Sequence, residues 1–543
     1  MKYTYKTEAQ AMSSIVPVKV GKYTYLYEST SYRDENGQPR NKRKSIGKID
    51  PKTGEYVYKP EYLERIASAG TPVEVSPEAV QPEPSFSVND IQQSSIRDYG
   101  AFYLYKKLSE QIGLLDALQK ALPDCWEEVF NLAAYLVSTG DPFIYCEDWL
   151  ASTEAYPVGS MSSQRISELL AGITKDEQDD FYRHWCSVRS ESEYLALDIT
   201  SASSYSKLIE SVEWGYNRDG EKLPQINICL LMGHTSRLPI YQTVYSGSLK
   251  DVTTLRTTIQ AFRPLAGEKP IIAVMDKGFF KIKNVDDMLS EEQHVDFVIA
   301  VPFTTKFAKD LVKSERNGID TLRNTIVNGN DTLRAVAISK NWSREHKVYA
   351  HVYYNARKAQ GIREDLYAHV AELRDEAMAD PERCAQKPEH VKYLLLQHYE
   401  DAGYTINVRE DTVAAELETS GWMVAISNHI ADPKEAIKIY REKDIVEKGF
   451  LRLKNCLDLG RLRVHSEKNM QSKVFVGFIS LILLSAIHNT MVDKKLYKKM
   501  TMKKLVLTLS KLRLQIIKGV RVLFPVTKEQ RGIYEAFNIL VPV

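Results

Sequence analysis

Three shortages shape the reading of this 543-residue chain. Charge excess is the first: 72 Lys and Arg against 71 Asp and Glu leave a formal net charge of +1, so bulk charge announces no polyanionic partner. Closely spaced cysteines are the second. Cys125, Cys146, Cys186, Cys229, Cys384 and Cys456 are scattered, which argues against a zinc knuckle and a disulfide framework and for a reducing cytosol. The third is a membrane-length apolar run: Val474 to Ile487 contains Gly477, Ser480 and Ser485 and reads as a buried helix too short to cross a bilayer. The amino terminus has no apolar signal-peptide core. The expectation is a soluble, cytoplasmic protein with no membrane association. Hydrophobic residues at 43% and charged residues at 26% are ordinary for a globular chain with a sizeable core.

What is present is uneven. Lys and Arg crowd the stretch Arg40 to Lys44 and the region from Lys434 onward, while acids gather between Glu364 and Glu418. Regional basic surfaces on a neutral chain still suit a polyanion. Residues 1–67 read as a β-rich module. Tyr23, Tyr25 and Tyr27 alternate with Thr24, Leu26 and Glu28, and Asn36-Gly37 is a hairpin turn signal. It is either a plain hairpin with a solvated basic edge or a ribbon that touches DNA. Pro72, Pro77, Pro82 and Pro84 mark a linker over 68–90. Over 91–190, Leu104, Leu108, Ile112, Leu115 and Leu118 recur at helical spacing.

The pattern then turns to strands. Within 191–301, three runs (Tyr194 to Thr200, Gln225 to Met232, Pro239 to Tyr245) precede a helix from Asp251 to Phe262 and a strand ending at Asp276. Another helix near 281–290 and a strand from Val295 to Val301 follow. Residues 302–420 break the alternation and read as an insertion, with strand pieces at Leu333 to Ile338, Lys347 to Tyr354 and Tyr404 to Val408 and a polar helix near 362–378. Over 421–492 the core resumes with a strand from Gly421 to Ile426. Over 493–543 come carboxyl-terminal helices, a basic one near 501–515 and a last one opened by the capping-box spacing of Thr527 and Gln530. The class is α/β: a mixed sheet covered by helices.

Tyr440 to Lys454 is the most informative segment. On one α-helix, Tyr440, Lys443, Glu447 and Lys454 fall within about 60° of one another, and Ile439, Val446, Phe450, Leu453 and Leu457 form an apolar stripe beside them. An ordinary amphipathic helix with a solvated charged face has the same pattern. A carboxylate flanked by two amines and a phenol also suits a phosphodiester bound beside a divalent cation. Two further acids stand at strand positions, Asp198 within one and Asp276 closing another. Three carboxylates converging at one edge of a sheet would hold two hard cations through oxygen.

These residues carry a resemblance. Asp198, Asp276 in Met-Asp-Lys-Gly-Phe-Phe, and Glu447 in a Tyr-x2-Lys-x3-Glu-x6-Lys segment resemble the catalytic triad of DDE transposases from bacterial insertion sequences. Within these, the chain is similar to the group with a Tyr-x2-Arg-x3-Glu-x6-Lys signature. The resemblance runs from the Asn-Gly hairpin and Ile46-Gly-Lys-Ile-Asp50 to the carboxyl-terminal helices. It implies a ribonuclease-H-like core with a β-containing insertion before Glu447. It also implies two Mg²⁺ or Mn²⁺ ions held by Asp198, Asp276 and Glu447, and transposon-end phosphates held by Tyr440, Lys443 and Lys454. Lys443 and Lys277 stand where the group often has Arg, so a point charge replaces a planar fork. The implied reaction is metal-dependent nicking at the terminal inverted repeats, then attack of the freed 3′-hydroxyl on target DNA by a homodimer in a prokaryotic, nucleoid-associated setting. The alternative is a transposase-derived DNA-binding protein without catalysis. A two-carboxylate glycosidase gives no reason for the cations beside Glu447. Trp342, Tyr353 and Tyr354 are read as packing residues, with base stacking the alternative. Arg461, Arg463 and His465 are either DNA-facing or solvated.

Overall fold

Ile, Leu, Cys and Met fill Gln225–Gly233 so completely that every residue of the strand is buried. A run apolar on both faces belongs in a sheet covered on both sides. In the computed structural model, runs of this kind build a nine-stranded mixed sheet. The structure describes residues 13–20, 23–33, 39–50, 56–63, 86–188, 194–267, 270–290, 295–328, 331–401, 403–457 and 459–543. It comprises two units, Met1–Phe86 and Ser87–Val543.

The first unit is an antiparallel sheet of β1 (Ser13–Val20), β2 (Tyr23–Arg33), β3 (Pro39–Ile49) and β4 (Tyr56–Tyr58), in that order. Leu26 and Ile46 are buried, and Lys42, Arg43 and Lys44 are exposed. Gly47 is required by a close approach, because a Cβ there would stand 2.5 Å from the Val57 carbonyl oxygen. The Asn36-Gly37 turn and the linker over 68–85 lie outside the described residues. The end of the expected linker is helical: Val88–Gln92 opens with a capping box between Ser87 and Asp90.

In the second unit a short strand, β5 (Ser95–Asp98), leads into helices α1 (Gly100–Ile112), α2 (Leu114–Ala121), α3 (Trp126–Thr139), α4 (Ser163–Gly172) and α5 (Lys175–Val188). Then come β6 (Tyr194–Ser203), β7 (Gln225–Gly233), β8 (Pro239–Ser246), α6 (Asp251–Ala266), β9 (Ile271–Met275), α7 (Ile282–Leu289) and β10 (Val295–Val301). β8, β7 and β6 pair antiparallel, whereas β9 pairs parallel to β6 and β10 parallel to β9. That order, β8-β7-β6-β9-β10, is ribonuclease-H-like.

The strands expected inside the insertion divide in two. β11 (Thr325–Asn328), β12 (Asp331–Asn341) and β13 (Lys347–Tyr354) extend the main sheet, joined to β10 through β16 (Trp422–Ser427). Between β13 and β16, α8 (Ala356–Ala379) and the hairpin of β14 (Leu394–Tyr399) and β15 (Gly403–Val408) build a small cluster with its own core. The aromatics of this region pack. Tyr353 is buried and donates to the Pro433 carbonyl, Tyr354 lies against Trp422, and Trp342 lies against Phe307 while donating to Asp286.

Two helices follow β16, α9 (Pro433–Glu442) and α10 (Asp444–Asn455), and then α11 (Glu467–Asp493). The apolar run at 474–487 is therefore part of a 27-residue helix, long and apolar enough by composition to cross a membrane. Its most apolar window is 83% buried inside the protein, as suits a core helix. The expected basic helix near 501–515 is shorter. α12 (Met502–Ser510) stops, and Arg513–Ile517 becomes β17, pairing with β5 on one side and β18 (Val520–Leu523) on the other. Leu514 and Ile517 are buried there and Arg513 is exposed, and the ladder to β5 and β18 holds the segment as a strand. The last helix, α13 (Lys528–Ala536), starts with the expected capping box at Thr527 and Gln530.

Candidate active site

The carboxylates meet through strand register. β6 and β9 run parallel with Leu197 opposite Met275; the next residue is an aspartate in both, Asp198 within β6 and Asp276 directly after β9. Neighbouring strands lie about 4.8 Å apart, so Asp198 and Asp276 stand side by side where β9 ends. Asp276 keeps extended backbone angles (φ −79°, ψ 167°) before a 3₁₀ turn, Lys277–Phe279. Asp198 Oδ1 accepts a 2.8 Å hydrogen bond from the Ile199 amide.

Side chains on one face of these strands decide what covers them. Tyr194 shares its face with Asp198, and Val274 with Asp276. Tyr194 and Val274 pack with Val298, Ala436 and Ile439, so α9 lies over that face. The Tyr440 phenol of α9 thereby reaches Asp276 and donates a 2.7 Å hydrogen bond to Oδ1. Burial, with the nearby charges of Asp276, Glu447 and Asp198, pushes that phenol far above its usual range.

Contrary to expectation, Tyr440 and Lys454 do not share one unbroken helix. The chain tightens at Lys443, where its amide bonds the Tyr440 carbonyl and the Val446 amide bonds the Lys443 carbonyl, both three residues back. Lys443 keeps helical angles, so the turn changes direction only locally and its side chain still faces Glu447. Nζ of Lys443 donates to Oε1 of Glu447 at 3.0 Å and stands 5.6 Å from the Tyr440 ring centre. The Lys443 side chain is only 14% exposed, against 54% for Glu447. Burial alone would lower its pKa, yet the Glu447 hydrogen bond and the charges of Asp276, Glu447 and Asp198 raise it. Five residues named from sequence therefore share one electrostatic neighbourhood: Asp198, Asp276, Tyr440, Lys443 and Glu447.

The other two lie to either side. Lys277 is exposed on the turn directly after Asp276. Lys454, about three helical turns beyond Lys443, donates a 2.6 Å bond to Asp219 in the long β6–β7 connection. The same connection supplies Glu221, which pairs with Arg461. Sequence reading missed both acids, because nothing local distinguishes a loop carboxylate that will meet a distant cation. Arg461, Arg463 and His465 line a pocket of about 540 Å³ with Tyr205 and Lys207, and Arg461 lies over the Tyr205 ring. His234 pairs with Glu442.

The donor set fits hard cations. It consists of three carboxylates, and the Lys443 ammonium already stands in their field. Their oxygens do not all lie within 4.8 Å of one another. Among the described residues that tighter condition is met by Glu376, Cys384 and His390, a group in the α8 cluster able to hold a metal ion but unlike a carboxylate pair site in composition. Two ions about 3.5–4 Å apart need donors spread on both sides of the pair.

A ribonuclease-H-like mixed sheet is a fold of the polynucleotidyl-transferase type. The chain belongs to the DDE transposases: the family model described as "Transposase DDE domain" matches residues 189–483, which contain all three acids. Among solved structures, the chain is similar to a piggyBac transposase in a cryo-EM synaptic complex with hairpin DNA, at 11% identity and a TM-score of 0.34 over 74% of this chain and 70% of that one. At that score the likeness is too weak to bear on the fold, which rests on the strand order. No curated protein matches.

Proposed function

We propose that this protein is an active, metal-dependent DDE transposase that nicks the terminal inverted repeats of its own element and joins the freed 3′-hydroxyl to target DNA. The observation that carries the reading is the meeting of Asp198 and Asp276 in register, with Tyr440 and Lys443 bridging to Asp276 and Glu447. Asp198, Asp276 and Glu447 would hold two Mg²⁺ or Mn²⁺ ions, which when bound supply positive charge to the attacking and leaving oxygens of an in-line displacement. The chain's own residues orient that arrangement. Tyr440 fixes the Asp276 carboxylate by its hydrogen bond, and Lys443, held among the acids, is placed to meet a phosphate oxygen. Lys277 and Lys454 flank the site as further phosphate contacts.

In the first step a water oxygen bonds phosphorus, the bond from phosphorus to the 3′-oxygen breaks, and that oxygen takes up a proton. In the second step the 3′-hydroxyl gives up its proton, bonds a target phosphorus and displaces the target strand's 3′-oxygen. The group we infer is that of bacterial insertion sequences with the Tyr-x2-Arg-x3-Glu-x6-Lys signature, Lys443 standing for the Arg. The acting form is a homodimer on two DNA ends in the nucleoid of a prokaryote.

The test is strand nicking and transfer on DNA carrying the inverted repeats of the native locus, with Mg²⁺ or Mn²⁺. Wild-type activity that falls by about 10³-fold or more in Asp198→Ala, Asp276→Ala and Glu447→Ala supports the enzyme. A wild type that binds the ends but never nicks them leaves a DNA-binding protein instead.

A further inference from the structure

A second set of metal-ligating side chains lies away from the carboxylate edge, in the small cluster around α8. Glu376 is near the end of that helix, Cys384 ends the short helix Pro381–Cys384, and His390 lies in Pro388–Tyr393. Their ligand atoms all lie within 4.8 Å of one another. Cys384 and His390 are each 2% exposed, while Glu376 is open to solvent.

His390 is the decisive observation. Both of its ring nitrogens are buried without a hydrogen-bond partner, although Glu376 Oε2 stands 3.3 Å from Nε2. Buried polar groups in folded proteins are nearly always satisfied. An imidazole whose buried Nδ1 has no partner and whose Nε2 faces a carboxylate, set against a thiol, has the donors of a metal centre. The local chain directs them together. Pro381 and Pro388 each open a short helix, and Asp380 caps the first by accepting from the Arg383 amide. Lys387 holds Glu376 by a 3.2 Å hydrogen bond, an outer contact that orients the carboxylate.

We propose that Glu376, Cys384 and His390 bind a zinc ion that staples this cluster. One sulfur, one imidazole nitrogen and one carboxylate oxygen suit borderline-soft, tetrahedral Zn²⁺, with the fourth position falling to solvent on the exposed Glu376 side. Mg²⁺, which takes oxygen ligands, is directed instead to the Asp198 edge, so ligand chemistry sorts the two kinds of ion. The cluster has reason to need a staple, because its buried core is small and separate from that of the main sheet.

Co²⁺ is the probe, added to the full-length chain purified in chelator. The expected result is one tightly bound equivalent with a near-ultraviolet thiolate-to-cobalt charge-transfer band, displaced by added Zn²⁺. Cys384→Ser abolishes the band, and His390→Gln weakens binding at least tenfold. Glu376→Gln, at an exposed position that leaves the fold intact, weakens binding while the band survives at saturation. Cys456→Ser, which removes the exposed thiol, and Asp276→Asn both retain band and affinity. A band that persists in Cys384→Ser, a band lost in Cys456→Ser, or no cobalt bound by folded wild type overturns the assignment. Because none of these readouts measures DNA cleavage, the transposase reading stands or falls separately.

Discussion

The Tyr440 phenol donates its 2.7 Å hydrogen bond to the oxygen of Asp276 that faces α9, so the first helix of the signature segment is tied to the end of the central parallel strand. Tyr440→Phe keeps the ring packed against the neighbouring apolar cluster that includes Leu333 and Ile437, and removes only the hydroxyl. The expected stability loss is about 1.5–3 kcal/mol, as for one hydrogen bond to a charged acceptor. Nicking should slow about tenfold with end binding little changed, since the mispositioned group is a carboxylate rather than a DNA contact. Thermal unfolding with single-turnover cleavage measures both. A Phe variant that nicks at the wild-type rate removes Tyr440 from any positioning role.

Lys454 and Arg461 are occupied by acids of one connection, Asp219 and Glu221. A DNA phosphate that takes Lys454 must displace Asp219, whose carboxylate is 40% exposed and so held weakly. Asp219→Asn should therefore tighten binding of transposon-end DNA severalfold at low salt. Lys454→Ala should weaken it and flatten the salt dependence by about one unit of slope. Fluorescence anisotropy across a salt series reads both, and equal affinities in all three proteins would show that Lys454 never meets phosphate.

How far these features were legible depends on their range along the chain. Asp198 and Asp276 stood out because each interrupts or closes an apolar strand, a local signal. Their adjacency needed the parallel pairing of β6 with β9, which no local pattern encodes. The joint at Lys443 was invisible for another reason: neither glycine nor proline marks it, and the residue keeps helical angles while two hydrogen bonds shorten from four residues to three. The strand at Arg513–Ile517 was hidden by Leu and Lys spacing that fits a helix as well, and pairing with Ser95–Asp98 decided it. Glu376, Cys384 and His390 carry no local signal, because they lie on three separate helices and only the packing of those helices brings their ligand atoms together.

Gly449 brings α10 close against β7. A Cβ there would stand 3.3 Å from Leu230 Cδ2 and 3.4 Å from Met232 Sδ. Leu230 is the β7 residue opposite Asp198, so this contact sets how far Glu447 stands from the strand aspartates. Gly449→Ala meets only flexible side-chain ends and gains helix propensity, giving a stability change within about 1 kcal/mol. Gly449→Leu must lift the helix, at a cost of about 1–3 kcal/mol, and cleavage should fall far more than folding. Circular dichroism melts beside nicking rates separate the two effects. If the Leu variant cuts normally, the closeness of α10 to β7 is irrelevant to the site.

His351 gives the fold a dependence on acid that can be isolated. It lies fully buried in β13, and its Nε2 is 3.0 Å from the Ile430 carbonyl oxygen, in the segment that leads into α9. Burial lowers its pKa from 6.5 to about 4, against the opposing pull of that carbonyl and Asp432. The unfolded chain thus binds a proton near pH 6.5 that the folded chain refuses until about pH 4. Between those values the unfolded state holds more protons, so stability falls as pH falls, by up to about 3 kcal/mol across the window. Above pH 6.5 the imidazole is neutral in both states and contributes no slope. Urea midpoints measured from pH 4 to pH 8 should show this decline in wild type. In His351→Gln, whose amide can still donate to the carbonyl and never protonates, the slope should shrink by that amount, whatever the variant's absolute stability. An unchanged slope would mean that His351 is protonated in the native protein already, and that its bond to Ile430 is made by an imidazolium.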